Sequence, residues 1–554
     1  MEKRLFLAVF LSIAFLFAWG ALAPKLFPEL ARKPATPASS QAPTAADAQP
    51  TDTGGVATAL TLDAAEAAPP IPPAAAENIE RPVVRSPLYR AVFTNRGAQL
   101  TAFELLRYPK RSGGEPIDLV APRAEERTDF PFAITTSDPR ITHLVNSALY
   151  EVEETTLQKG RSLVFRWAGE GVAVEKTFRF DPEDYLFEFD IRLEASESLS
   201  WRVSIGPGMR EILPEDEANR FIGVGNGIIQ QGGDLDSIRR DKEDEFRFFP
   251  GTPEYFGLHD NYFLTVFRPS RGSGVVFLPI RLVTGAPGED ERGRQELYAA
   301  FNASGNRASG VAYFGPKEVA RLDAHGFENT LELGIFGFIS RVLLTALLWM
   351  NTWTHNYGWA IVVLTIIIKV LLYPLQHKSM VSMKKMQQVQ PKMNAIKDRF
   401  KKAKTDPDQR QKMNLEMMKL YKEEGINPAS GCVPILLQLP ILWGFYTLLS
   451  KAIELRGAPF ILWIADLSAK DPYYITPLLM TVTMFIQQLI TPTTVDPIQR
   501  KIFLAMPIVF GWFFKEFPSG LVLYWLVQNI LSIIQQMIIN KYWSSHPPAV
   551  EKGA

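Results

Sequence analysis

One cysteine in 554 residues, Cys432, leaves no partner for an intrachain disulfide and excludes a cross-linked framework. In the stretch Gly-Cys-Val-Pro, at the start of an apolar run, it reads as a small buried hydrophobe. Net charge is missing too: 59 Lys and Arg balance 59 Asp and Glu. That balance excludes little, because the charges are segregated along the chain. No Gly-x-x-x-x-Gly-Lys-Ser/Thr loop and no His/Cys cluster occurs, so a nucleotide motor or a metal site has no support. Residues 31–80 lack any aromatic side chain and hold 8 Pro and 16 Ala. Such a stretch buries too little apolar area to offset its ordering entropy and reads as a disordered tether. Finally, the apolar runs of the C-terminal half carry no Asp or Glu in their interiors, Glu516 lying at an outer end. Ion-coupled transporters use buried carboxylates or broken helices in repeated halves. Neither is present, so a solute or ion transporter is the alternative reading rather than the leading one.

Ahead of the tether, Lys3 and Arg4 precede a 19-residue apolar run from Leu5 to Ala23, long enough to span a bilayer. Ala21-Leu22-Ala23 imitates a cleavage site, but Pro24 would follow the cut, so residues 1–30 read as an uncleaved anchor. Either way, the segment that follows is exported. From 81 to 330 the texture is that of alternating strands. In "LFEFDIRLE", Phe187, Phe189, Ile191 and Leu193 face one way and Glu188, Asp190, Arg192 and Glu194 the other. "LYRAVFTNRGAQLTAFEL" reads as two strands around an Asn-Arg-Gly turn. About 250 residues of this kind imply a large antiparallel β-sandwich. His143, His259 and His325 are scattered singly, as structural or surface histidines usually are.

In the run Gly334 to Trp353, Ile335, Ile339, Val342, Ala346 and Met350 share a helical face, with Ser340, Arg341 and Thr345 elsewhere. Parity decides whether it spans. If it did, the next helix would expose the loop from Lys378 to Lys422, which holds 13 Lys and Arg. The positive-inside rule places that loop in the cytoplasm. Residues 331–357 therefore form an interfacial amphipathic helix, anchored by Trp349 and Trp353. Spans follow at about 358–375, 434–450, 474–490, 503–517 and 519–541, making a five-helix core at 358–545. With the anchor there are six spans, and both termini are cytoplasmic. Within the basic loop, 378–427, Met386, Val389, Met393, Ile396 and Phe400 form one apolar seam and Met413, Met417 and Leu420 another. Asp406-Pro407 supplies an N-cap and a first-turn proline between them, so this is a helical hairpin. Seven of the 14 Met lie here. Ordinary hairpin packing with a solvated basic face accounts for most of them; the alternative is a surface that repacks around varied apolar partners such as nascent chains.

Lys369 lies six residues from Leu375, about 9 Å from the cytoplasmic end of its span. It either snorkels to the interface or sits in a polar cavity. Thr365, Lys369 and Tyr373 make a stripe at i, i+4 and i+8, and Tyr524, Gln528, Ser532 and Gln535 share a face of the last span. Gln438, Gln487 and Gln488 add amides from other helices. Lipid satisfies none of these, so they must face one another or water. A hydrated groove bearing a cation and open to the cytoplasm fits this pattern.

These residues carry a family resemblance. "YPLQHKSMVSMKKMQQVQPKM", "NPASGCVPILLQLPI", "APFILWIADLSAKDPYYI" and "FPSGLVLYWLVQNILSIIQQ" resemble the YidC-type membrane protein insertases over Gly334 to Trp543. Upstream, "AVFTNRGAQLTAFELLRYPK" is similar to the periplasmic domain of the Gram-negative members. The resemblance implies a polytopic α-helical inner-membrane protein with a periplasmic all-β domain, acting as insertase and folding chaperone beside the Sec translocon. It implies Lys369 as the groove cation, Thr365, Gln438, Tyr524 and Trp525 in the groove, to which the polar stripe of the last span adds Gln528 and Ser532, and Leu439, Pro440 and Phe513 along a hydrophobic slide for the substrate. Nascent membrane proteins, the lipid bilayer, the ribosome and the signal recognition machinery are the implied partners; DNA is not, and no cofactor or enzymatic chemistry is implied. Two departures stand out: the family cation is usually Arg, and Tyr is frequent where Trp525 stands. Lysine does not grip a carboxylate bidentately, and indole offers one donor and no acceptor.

Overall fold

The computed structural model describes residues 71–72, 74–111, 113–121, 129–210, 225–240, 246–282, 294–401, 406–426, 433–491 and 497–545. The anchor at 1–30 and most of the tether lie outside them. The last tether residues do not behave as composition led us to expect. Ala76 N donates to Leu149 O, Ala74 O accepts from Ala168 N, and Glu80 N donates to Asn95 Oδ1. Backbone groups hold this stretch to the β region, and backbone pairing leaves no mark on composition.

Three antiparallel sheets follow. The largest has nine strands, in spatial order Asp234–Ile238, Asn226–Gln231, Tyr255–His259, Phe263–Arg271, Arg307–Pro316, Leu186–Ala195, Val172–Phe180, Gly160–Gly169 and Glu151–Leu157. A four-stranded sheet runs from Val83–Arg85 to Gly113–Asp118, and a five-stranded one from Arg247–Phe249 to Ile134–Thr136. The two smaller sheets face the large one across an aromatic core. Phe103 lies 5.5 Å from Phe314, and Phe301 lies 6.2 Å from Phe267. Leu186–Ala195 buries Phe187, Phe189, Ile191 and Leu193 and wets the alternate positions. At the expected turn, Gly97 has φ +67°, and a Cβ there would meet Asn146 O at 2.4 Å, so glycine is required.

Two lysines are sealed inside this region. Lys176 Nζ donates to the carbonyls of Gly97 at 2.6 Å, Phe132 at 2.8 Å and Ala98 at 3.3 Å. Lys317 Nζ lies 2.7 Å from His259 Nδ1 and donates to Thr330 O at 2.7 Å. Burial pulls both ammonium groups down to about 7. Burial and the Lys317 charge hold the imidazole of His259 well below its usual range.

Among the described residues the helices are α1 (Pro139–Ser147), α2 (Val319–His325), α3 (Gly337–Thr354), α4 (Tyr357–Arg399), α5 (Pro407–Glu423), α6 (Val433–Lys451), α7 (Ile475–Ile490), α8 (Pro497–Phe514) and α9 (Ser519–Ser545). Tyr357–Arg399 and Ser519–Lys541 are long and apolar enough to cross a membrane; Ile475–Ile490 and Phe503–Phe514 are shorter apolar helices. Asn356 caps α4, its Oδ1 accepting from Gly358 N at 2.9 Å and Trp359 N at 3.2 Å. The sequence reading separates a span ending near Leu375 from the hairpin beginning at Lys378. One continuous helix, α4, carries both, running through Pro374 and Pro391. Each proline removes one i→i−4 bond, and the flanking turns carry the helix on.

Helix α3 also departs from expectation. Its buried side is Ser340, Leu343, Leu344, Leu347 and Met350, packed with α4 and α6; Phe338, Val342, Trp349 and Trp353 are exposed. Both sides are apolar, so periodicity did not distinguish the side that packs.

Candidate functional site

Helices α4 and α9 run in the same direction, tied by bonds from Lys369 to Ser532 and, farther along, from Lys384 to Asn540. Lys369 is only 7% exposed, and its Nζ donates to the Ser532 hydroxyl at 2.7 Å. Among the described residues it meets no carboxylate. One turn back along α9, Gln528 Nε2 donates to Gln438 Oε1 of α6 at 3.2 Å, and the Gln438 amide donates to the Tyr524 hydroxyl. The Tyr524 ring is sealed by stacking on Phe445 at 4.2 Å. Gln438 thus spans two residues of α9, while Lys369 holds the next polar position on the same face. Thr365 is buried, and its hydroxyl donates to Ile361 O at 2.6 Å within its own helix.

Other expected residues lie elsewhere. Trp525 packs against α8, its ring 5.3 Å from Phe514 and 6.5 Å from Phe510. Asn529 donates to Thr483 Oγ1 of α7 at 3.3 Å. Tyr373 is exposed and stacks on His377 at 5.4 Å. Leu439 and Phe513 are exposed and Pro440 half-buried, so they lie on the outer surface of their helices. In the hairpin, Met393 is buried with Val389, Ile396 and Leu420, and Met386, Met413 and Met417 pack against them. Leu415 and Met418 are the exposed apolar residues of α5.

The sequence reading missed Gln376, which is buried on Lys369's face. A signal for it was present. At 3.6 residues per turn, i+7 returns to within about 20° of the starting face, whereas the stripe from Thr365 to Tyr373 drifts by about 80°. Also missed were the ties between the β region and the segment joining α6 to α7. Arg111 Nε lies 2.9 Å from Asp466 Oδ2, Arg456 donates to Pro109 O at 3.1 Å, and Glu454 accepts from Val319 N at 3.0 Å. Among the described residues no group of three or more His, Cys, Asp or Glu is placed to hold a metal ion.

A β domain of three sheets is joined to apolar helices, two of them long and apolar enough to cross a membrane, with a lysine buried between them on a hydroxyl. Residues 81–346 match the family model of the YidC periplasmic domain, and residues 349–546 that of the 60Kd inner membrane protein. The chain is 35% identical over 563 residues to the membrane protein insertase YidC of Geobacter metallireducens, covering 98% of each. It is 37% identical over 472 residues to that of Geobacter sulfurreducens, covering 82% of this chain and 85% of that one. A crystal structure of an active YidC insertase with its first transmembrane domain resolved is 19% identical, with a TM-score of 0.36, over 85% of this chain and 94% of that chain. The chain belongs to the YidC family, with a periplasmic β domain and a helical inner-membrane region.

Proposed function

We propose that this protein is a membrane protein insertase and chaperone of the bacterial inner membrane, receiving hydrophilic segments of its substrates at Lys369. The observation that carries this reading is a buried lysine whose partner is one hydroxyl, Ser532, beside the Gln438, Tyr524 and Gln528 cluster. A cation without a carboxylate attracts an acidic tail, and surrounding amides and hydroxyls give polar peptide a substitute for water. Burying about 20 apolar residues of a substrate in lipid releases tens of kcal/mol at ~25 cal/mol per Å². The insertase therefore need only lower the barrier for the polar parts. Apolar substrate segments leave along Leu439, Pro440 and Phe513, which lie on the outer surface.

In this reading, residues 1–30 and the segments 358–375, 434–450, 474–490, 503–517 and 519–541 cross the membrane, with both termini and the hairpin in the cytoplasm. The ties from Arg111 and Pro109 to the α6–α7 segment support placing that segment on the β-domain side. The basic residues of the hairpin support the opposite side for α5. Partners in this scheme are nascent membrane proteins, the Sec translocon, the ribosome with its recognition machinery, and the bilayer.

The test is insertion of a small single-span protein with an acidic N-terminal tail into proteoliposomes holding only this chain, read by protease protection. Wild type is expected to insert it, and Lys369→Ala to lose about tenfold or more of that activity. Equal insertion by both would remove Lys369 from the mechanism; no insertion by either would remove unaided insertase activity.

A further inference from the structure

Amides buried between helices are normally bonded to a neighbour. Gln376 and Gln535, 4% and 5% exposed, depart from this rule. Gln376 Oε1 and both Nε2 and Oε1 of Gln535 have no hydrogen-bond partner among the described residues. Gln528 Oε1, on the same face of α9, has none either. The bonds Lys369–Ser532 and Lys384–Asn540 bracket both glutamines along the parallel helices α4 and α9. Gln376 follows Lys369 by two turns, and Gln535 follows Ser532 by one. Both therefore stand on the hairpin side of the lysine.

An unpaired buried amide is destabilising, and leucine, of similar volume, would avoid that cost. The chemistry left open is specific. A carboxamide presents an acceptor and a donor side by side, the complement of a peptide unit, and carries no charge to prefer an acidic side chain. We propose that Gln376 and Gln535 form a second binding subsite, which hydrogen-bonds the main chain of an extended, uncharged polar segment entering from the hairpin side. This rests on the insertase reading. Lys369 selects for negative charge, whereas the glutamines act on any polar sequence, so their contribution dominates for tails without acidic residues.

The full-length protein in proteoliposomes would be given two single-span substrates, one with an acidic tail and one with a Ser/Asn-rich neutral tail. Wild type is expected to insert both. Gln376→Leu/Gln535→Leu is expected to lose about fivefold with the neutral tail, to stay within about twofold with the acidic one, and to melt no lower than wild type. Unchanged insertion of the neutral tail would overturn the subsite and leave the insertase reading standing. A second measurement does not depend on the leucine variants folding. With Cys432→Ala and Gln535→Cys, oxidation is expected to link position 535 to a single cysteine in the neutral tail during insertion. Insertion without that link would mean the amides are met by water alone, and would overturn the proposal. Failure of wild type to insert either tail would overturn both readings together.

Discussion

Lys176 and Lys369 are both sealed from solvent, one in the β domain and one between helices, yet they are treated differently. Three carbonyl oxygens surround the Lys176 ammonium, one for each of its three donors. Lys369 has one hydroxyl among the described residues, and around it stand amides that are themselves incompletely bonded. The first lysine is finished as a structural group, clamping the Gly97 turn and Phe132 onto the large sheet. The second retains bonding capacity that only water or another molecule would use. Burial alone therefore does not separate the two lysines; the shortfall in partners does.

The largest expected effect follows from removing the finished one. Lys176→Met leaves three carbonyls buried without a donor and is expected to cost about 3–5 kcal/mol, read as a lower unfolding midpoint of the β domain in the detergent-solubilised protein. Lys369→Met, in the same assay, is expected to cost less than about 1 kcal/mol, because it strands only a hydroxyl that a helix carbonyl can satisfy. If the two variants melted alike, the distinction between them would fail.

The pH dependence of Lys317 comes next in size. Its folded value is about 7 against an ordinary 10.5, so the unfolded chain binds more protons between these values. Stability is therefore highest above pH 10.5 and falls as pH drops to about 7, below which this contribution is flat. Between pH 7 and 10 the change is on the order of 4 kcal/mol, and Lys317→Met should abolish its share of the slope in melts recorded from pH 6 to 10.

A double-mutant cycle on Arg111→Ala and Asp466→Ala tests the junction between the two regions. These side chains are partly exposed, and a coupling of about 1 kcal/mol is expected. Smallest of all is Lys369→Arg, which keeps the charge and adds a planar fork. Insertion of acidic tails should stay within about twofold of wild type and become less sensitive to salt.

Much of the architecture was legible because it obeys short-range rules. The strand Leu186–Ala195 follows a period of two, and Asp406 accepts from Asp408 N and Gln409 N at the head of α5 as an N-cap does. What was not legible depended on partners distant in sequence. Arg111 and Asp466 meet across 355 positions of chain with nothing local to announce it. The two-sided apolar surface of α3 gave periodicity no preference. At the candidate site the residue types on α4 and α9 were readable from their spacing, but the pairing of Lys369 with Ser532 was not. Nor was the departure of Tyr373 in favour of Gln376, which turns on a few tens of degrees of helical phase.

The unbroken course of α4 has a mechanical consequence. Its 43 residues make a rod of about 65 Å, with the hairpin at one end and the Asn356 cap, bonded to Phe460 O, at the other. No break in the helix separates the hairpin from the turn that bears Lys369; Pro374 and Pro391 both lie within its continuous course. A torque applied to the hairpin would turn the lysine away from Ser532 by a comparable angle, as a key turns the bolt at its far end.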